Sequence, residues 1–319
     1  MPVTVGLIAN PAAGRDIRRL TAHASVVPNH EKASIVRRLL HGLAATGVDT
    51  VVYLADNAGI VAAAVDGGRP PVAMEALDLR AHGWASDSTE AAGKLAAAGV
   101  GAIVTLGGDG TNRAVAAACG EVPLVAISTG TNNVFPTMVD GTVAGLAAGL
   151  VATRAVEPDQ VTRKVKRVEV RAGDVADFAL VDAAACTDNF VGTRAIWDVG
   201  RVRALVLTRA EPWSVGLSAI GGRLRPLAPD DRAGLYVELG DGPEVMAAVA
   251  PGVVARVPVR SWRLLELGEP VALGGEARMV ALDGERELAV DGGATAAVTL
   301  SGPRLVDIRA TLRAAAGRG

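Results

Sequence analysis

Five short apolar runs, at residues 3–9, 50–54, 72–77, 102–106 and 124–128, are separated by segments of helical character over the first part of the chain. A sequence that alternates in this way has few ways to fold. Short strands joined by helices run parallel in one sheet, and the helices then cover both of its faces. Between the first two runs, Ile35, Val36, Leu39, Leu40 and Leu43 recur at helical spacing, with Arg37, Arg38 and His41 on the opposite side. Residues 142–156 form a helix of small residues, and Glu157-Pro158-Asp159 marks a boundary.

Beyond Gln160 the texture changes. Candidate strands at 165–171, 178–185, 203–208, 234–239, 256–259, 279–282 and 296–300 are punctuated by turn signals at Gly221-Gly222, Asp241-Gly242, Gly274-Gly275 and Asp283-Gly284. The expected architecture is an α/β domain with a parallel sheet and flanking helices over residues 1–150. A C-terminal all-β sandwich follows over 160–302, and the tail 303–319 returns to the first domain. Half of the 319 residues are hydrophobic, enough for two cores, but only 3% are aromatic, so Val, Ala, Leu and Ile must fill them.

Composition excludes several classes of function. A formal net charge of −2 and the scarcity of aromatics leave neither a basic footprint nor a stacking strip for nucleic acid. No uncharged apolar stretch approaches the ~18 residues of a membrane span, and the N-terminus lacks the basic region of a signal peptide. Cys119 and Cys186 fall in different expected domains and suggest neither a disulfide framework nor a zinc site, which fits a reducing, cytoplasmic setting. His23, His30, His41 and His82 show no metal spacing and read as surface residues, so no metal ligand is assigned.

The residues with chemical potential cluster at strand ends, where ligands bind in α/β sheets. Gly107-Gly108-Asp109-Gly110-Thr111 joins the apolar run GAIVTL to an alanine-rich helical segment. Glycines there permit positive φ and close approach to a ligand, and Thr111 can cap the helix, whose positive end suits phosphate. Asp109 would repel a phosphate unless a hydroxyl or a metal lay between them, which points to a general base or a holder of Mg²⁺. A plain β-α turn is the alternative. Asn10, Pro11 and Gly14 follow the first strand, and an uncharged loop of hydroxyls and amides, Ser128-Thr129-Gly130-Thr131-Asn132-Asn133, follows the fifth. The loop suits ribose hydroxyls or phosphate oxygens, or else a capped helix start. Asp283-Gly284-Glu285 reads as a hairpin with a primed turn, or as a second acid facing Asp109 across a cleft.

Taken together, Asn10-Pro11, the GGDGT turn and the STGTNN loop some twenty residues later resemble the NAD kinase and diacylglycerol kinase superfamily. Within it the chain looks most like the ATP-NAD kinase branch that includes the acetoin-catabolism X proteins. The resemblance implies an α/β domain and a β-sandwich with the active site between them. It also implies Mg²⁺-dependent phosphoryl transfer from ATP to a hydroxyl, which in NAD kinases is the 2′-hydroxyl of NAD. By the same resemblance Asp109 is the catalytic base, and Gly107, Gly108, Gly110 and Thr111 line the phosphates. Thr187 and Asp188 stand where NAD kinases grip the dinucleotide, although Thr187 replaces an expected Asn. Glu285 matches the acid of the lipid kinases' Asp-Gly-Glu and is a second catalytic candidate. A homo-oligomer, dimer or tetramer, with a small nucleotide substrate and no nucleic-acid or membrane partner is expected by analogy. One departure is larger: where NAD kinases carry a Thr-Gly-Ser-Thr-Ala-Tyr-like stretch before Ser-Ala-Gly-Gly, this chain has WSVGLSAIGG at 213–222. That leaves room for a lipid kinase or for a nucleotide-binding protein without turnover.

Overall fold

The computed structural model describes residues 2–13, 27–130, 132–187, 199–275, 277–290 and 293–317. Its first part alternates β1 (Thr4–Ala9), α1 (Asn29–Ala45), β2 (Thr50–Tyr53), α2 (Ile60–Val65), β3 (Ala73–Ala76), α3 (Ala85–Ala97), β4 (Ala102–Gly107), α4 (Asp109–Ala116), β5 (Leu124–Ser128) and α5 (Gly141–Ala152). The five strands are parallel in the order β3-β2-β1-β4-β5. β4 and β5 are buried along their whole length, as strands covered on both faces must be. The small residues of α5 let it lie against α1 backbone to backbone. A Cβ added to Gly141 or Gly145 would come within 2.3 Å of the Ile35 or Leu39 carbonyl oxygen.

The chain then passes through α6 (Pro158–Val161) and β6 (Thr162–Lys164) into the antiparallel layers. These contain β7 (Arg167–Ala172), β8 (Val175–Ala179), β9 (Asp182–Cys186), β10 (Val202–Leu207), α7 (Ser218–Leu224), β11 (Ala233–Ala250), β12 (Val253–Glu266), β13 (Pro270–Ala272), β14 (Met279–Leu282), β15 (Glu285–Ala289) and β16 (Ala294–Thr299). They form a six-stranded sheet, β12-β11-β10-β9-β14-β15, and a four-stranded sheet, β13-β16-β7-β8. Val168, Val170, Leu265, Leu273, Val280, Leu282 and Val298 belong to one buried cluster drawn from both sheets, which is the core of a sandwich. The last elements, β17 (Arg304–Val306) and α8 (Ile308–Ala316), return to the first layer. β17 pairs with β5 in parallel and with β6 antiparallel, so the first sheet has seven strands.

The α/β-plus-sandwich architecture expected from the sequence is therefore the observed one, with three local differences. The single strand expected at 178–185 is two, because the chain leaves one sheet after Ala179 and enters the other at Asp182. Asp241-Gly242 is not a turn but an irregularity inside the long β11, where the register shifts between Leu239 and Glu244. A Cβ on Gly242 would lie 2.0 Å from the Val259 carbonyl oxygen, so that glycine serves close strand contact. Gly221-Gly222 is not a turn either. Both residues are buried in α7, where a Cβ on Gly222 would sit 2.5 Å from the Glu211 backbone.

Candidate functional site

Strand order reverses between β1 and β4, and the crevice at such a switch point is where open α/β sheets hold ligands. The chain leaves both strands there. Asn10 follows β1, its N–H donates to the Leu106 carbonyl of β4 at 3.0 Å, and its Nδ2 donates to Thr111 Oγ1 at 2.8 Å. Thr111 thus does not cap α4 as the sequence suggested. It lies inside the helix as a buried acceptor, and the N-cap position falls on Gly108.

The glycines of the turn serve close approach. Gly108 has φ −101°, outside the left-handed region, so freedom of φ is not what it supplies. A Cβ on Gly107 would fall 2.5 Å from the Thr111 side chain, and one on Gly108 would fall 2.8 Å from Asn133 Oδ1. The turn is braced from below by Asn112, which is fully buried. Asn112 Nδ2 donates to the Gly108 carbonyl at 2.8 Å, and its Oδ1 accepts from Thr105 Oγ1 at 2.7 Å. Asn112 was absent from the sequence-derived site. An amide immediately after GGDGT, seven residues beyond a strand threonine, is the signal that pointed to it.

The loop after β5 folds over this turn. Thr129 N–H donates to the Gly107 carbonyl at 3.3 Å, Ser128 Oγ donates to the Gly130 carbonyl at 3.0 Å, and Asn133 Nδ2 donates to Ser128 Oγ at 2.9 Å. Among the described residues no helix begins here, contrary to the capped-start alternative. The chain instead makes an isolated parallel bridge between Ile127 and Thr137. The Thr129 hydroxyl is fully buried and has no hydrogen-bond partner among the described residues.

Asp109 opens α4 and is reached from that same loop. The Val134 N–H donates to both of its carboxylate oxygens at 3.1 Å, and the Phe135 N–H donates to Oδ1 at 2.8 Å. Two backbone donors fix the plane of this carboxylate, and a carboxylate accepts about four hydrogen bonds in all.

The opposite wall comes from the sandwich. Asp283 is buried at the tip of the β14–β15 hairpin, with φ 52°, followed by Gly284 at φ 77°. Positive φ at both central residues is the primed turn that the Asp-Gly pair predicted. Its carboxylate accepts from the N–H groups of Leu180 at 2.9 Å, Val181 at 2.7 Å and Asp182 at 3.3 Å, the corner between β8 and β9. Burial and then the neighbouring Asp109 charge push the Asp283 carboxyl up to about 6. One turn further along α4, on the same face as Asp109, Arg113 Nη1 donates to Asp177 Oδ2 at 3.2 Å and to the Phe178 carbonyl at 3.4 Å. The helix that begins with Asp109 is thereby anchored to the same corner.

Of the residues singled out from sequence, Asn10, Pro11, Gly107, Gly108, Asp109, Gly110, Thr111, Thr129, Gly130, Asn132 and Asn133 belong to these three neighbouring loops. Gly14, Thr131 and Asp188 lie outside the described residues. Glu285 opens β15 opposite Leu282, two residues beyond Asp283. Thr187 follows the other end of β9, roughly 16 Å along the strand from Asp182 at ~3.3 Å per residue. There its N–H bonds to the Arg201 carbonyl at 3.1 Å. In the 213–222 stretch Trp213 is 77% exposed, whereas Ser218 is buried in α7 with its hydroxyl lacking a partner among the described residues. The Gly-Gly that ends this stretch packs α7 onto the chain beneath it.

Among the described residues no three His, Cys, Asp or Glu side chains converge as a metal cage. Nor is any helix of the described residues long and apolar enough to cross a membrane.

Comparison with known proteins divides the chain at the same place. Residues 5–155 match the ATP-NAD kinase N-terminal domain, and residues 166–302 match the acetoin catabolism protein X C-terminal domain. Acetoin catabolism protein X of Cupriavidus necator is 40% identical over 329 residues, covering 97% of this chain and 91% of that protein. Among solved structures, a putative diacylglycerol kinase from Bacillus anthracis str. Sterne is similar at a TM-score of 0.44 and 15% identity, over 95% of this chain and 97% of that one. On the strength of the Cupriavidus relative and the two domain matches, the chain belongs to the acetoin catabolism protein X family.

Proposed function

We propose that this protein transfers the terminal phosphoryl group of ATP, as its magnesium complex, to a hydroxyl, with Asp109 as the base. The 2′-hydroxyl of NAD is the acceptor to test first. The observation that carries this reading is the placement of Asp109. It is a carboxylate oriented by two backbone N–H groups at a helix N-terminus, in a glycine turn packed closely by Thr111 and Asn133 and beside a loop rich in hydroxyls and amides. Phosphoryl transfer asks little covalent chemistry of a protein; it needs phosphates held in place and the acceptor oxygen aimed and relieved of its proton. Here the backbone of residues 107–111 and the amides and hydroxyls of 128–133 would hold phosphates or ribose. Asp109 would take the acceptor proton, and Glu285 is a second acid candidate. The match of residues 5–155 to the ATP-NAD kinase N-terminal domain supports the nucleotide donor. We further propose a cytoplasmic homo-oligomer.

The test is an acceptor panel containing NAD, small polyols and diacylglycerol, with ATP and magnesium, run on wild type and Asp109→Asn. NADP formation that Asp109→Asn abolishes is the expected result. Phosphorylation of another acceptor would move the assignment to that substrate, and a diacylglycerol product would make the protein a lipid kinase. One observation favours a second reading. The bonds from Val134 and Phe135 also make Asp109 a latch between α4 and the loop after β5. In a nucleotide-binding protein without turnover that latch would be its whole purpose. No product with any acceptor, and ATP binding that survives Asp109→Asn, would select this reading.

A further inference from the structure

We propose that Lys32 is a positioning residue for the phosphate end of the site, acting through the backbone of residues 10–13 and the Asn10 side chain. This rests on the phosphate-binding reading given above. Lys32 lies in the first turn of α1 and is fully buried. Its Nζ donates to the carbonyl oxygens of Asn10 at 2.9 Å, Pro11 at 3.2 Å and Ala13 at 3.1 Å. Removing an ammonium from water is costly unless strong acceptors surround it. Here three carbonyls of one turn converge on it, which fixes the peptide planes that carry them.

The consequence reaches the site in two further steps. The Asn10 side chain closes on its own turn, Oδ1 accepting from the Ala12 N–H at 2.8 Å, and this leaves Nδ2 aimed at Thr111 Oγ1. Thr111 in turn packs where a Cβ on Gly107 would be. Lys32, the β1 exit and the first turn of α4 therefore form one connected unit. Its other side is the glycine turn.

Calorimetric titrations of ATP, ADP and adenosine into wild type, Lys32→Met, Asn10→Ala and the double variant test this. Positioning predicts that Lys32→Met weakens ATP and ADP at least tenfold and adenosine less than threefold, and that the two substitutions together cost little more than either alone, because they cut the same chain. Equal losses for all three ligands would mean a general loss of structure, and unchanged ATP affinity would mean no role; either overturns the proposal. So would full additivity. If Lys32→Met does not fold, Lys32→Arg takes its place. It keeps the charge, but its planar fork does not gather three convergent carbonyls. The same selective loss is expected of it, and wild-type affinity in it overturns the proposal. Wild type that binds neither ATP nor ADP would instead sink the phosphate-site reading on which this rests.

Discussion

The two sides of the candidate site are built by different means. The α/β wall is mostly local: Gly107 to Thr111, Asn112 and the loop at 128–133 come from short segments at adjacent strand ends, and apart from the bond from Asn10 to Thr111 most of their hydrogen bonds stay among them. The sandwich wall is long-range. Its corner at residues 180–182 is held by the carboxylate of Asp283, about a hundred residues further along the chain. A wall made of local turns is fixed by the sheet beneath it, whereas a corner held across the fold depends on distant groups, on Asp283 for its N–H groups and on Thr208 for the Leu180 and Val181 carbonyls. Substitutions in the first should change ligand binding and turnover, and substitutions in the second should change stability.

The sharpest way to break this contrast is Asp283→Ala. It leaves three backbone donors at the corner without an acceptor, and at ~1–3 kcal/mol for each buried unsatisfied group the loss should be about 3 kcal/mol or more. Chemical denaturation measures it, and a loss under about 1 kcal/mol would show that the corner does not depend on Asp283. Next in size is Gly107→Ala on the other wall. Its methyl would meet Thr111 at 2.5 Å, so about 1–3 kcal/mol of overpacking is expected together with a loss of ATP affinity. Wild-type ATP affinity in that variant would remove the glycine turn from the ligand site.

A pH titration of stability sharpens the same comparison. The Asp283 carboxyl sits at about 6 in the fold, against ~3.9 for an ordinary aspartate, so the folded state holds the proton more tightly than the unfolded one. Stability from this group is complete below pH ~4 and is lost as pH rises through about 6, by about 3 kcal/mol. Asp283→Asn should flatten that slope, and an unchanged slope would assign it to another group. The smallest effect belongs to Arg113→Ala. Its pair with Asp177 is partly solvated, 14% and 34% exposed, and should contribute about 1 kcal/mol.

The same difference explains what could be read from the sequence. Parallel strands, the GGDGT turn and the primed turn at Asp283-Gly284 follow from short-range patterns, and all are present. The corner between β8 and β9 was not legible, because Leu180 and Val181 are as apolar as their neighbours and what bends the chain there is a distant carboxylate. Asp241-Gly242 and Gly221-Gly222 look like turns. They are glycines chosen for what lies against them, Val259 in one case and Glu211 in the other. Lys32 was missed for a different reason. It extends the buried stripe of Ile35, Val36, Leu39, Leu40 and Leu43 by one turn, and a lysine on the apolar face of a helix was the available sign that a charge is buried there.

The central claim is that the local wall carries out chemistry through Asp109. The most direct measurement is single-turnover transfer of labelled γ-phosphate from ATP to NAD in wild type and Asp109→Asn, with ATP affinity determined on the same samples. Loss of a general base predicts a fall in rate of ~10²–10⁴-fold at nearly unchanged ATP affinity. Transfer of phosphate to NAD as fast in Asp109→Asn as in wild type would contradict the claim.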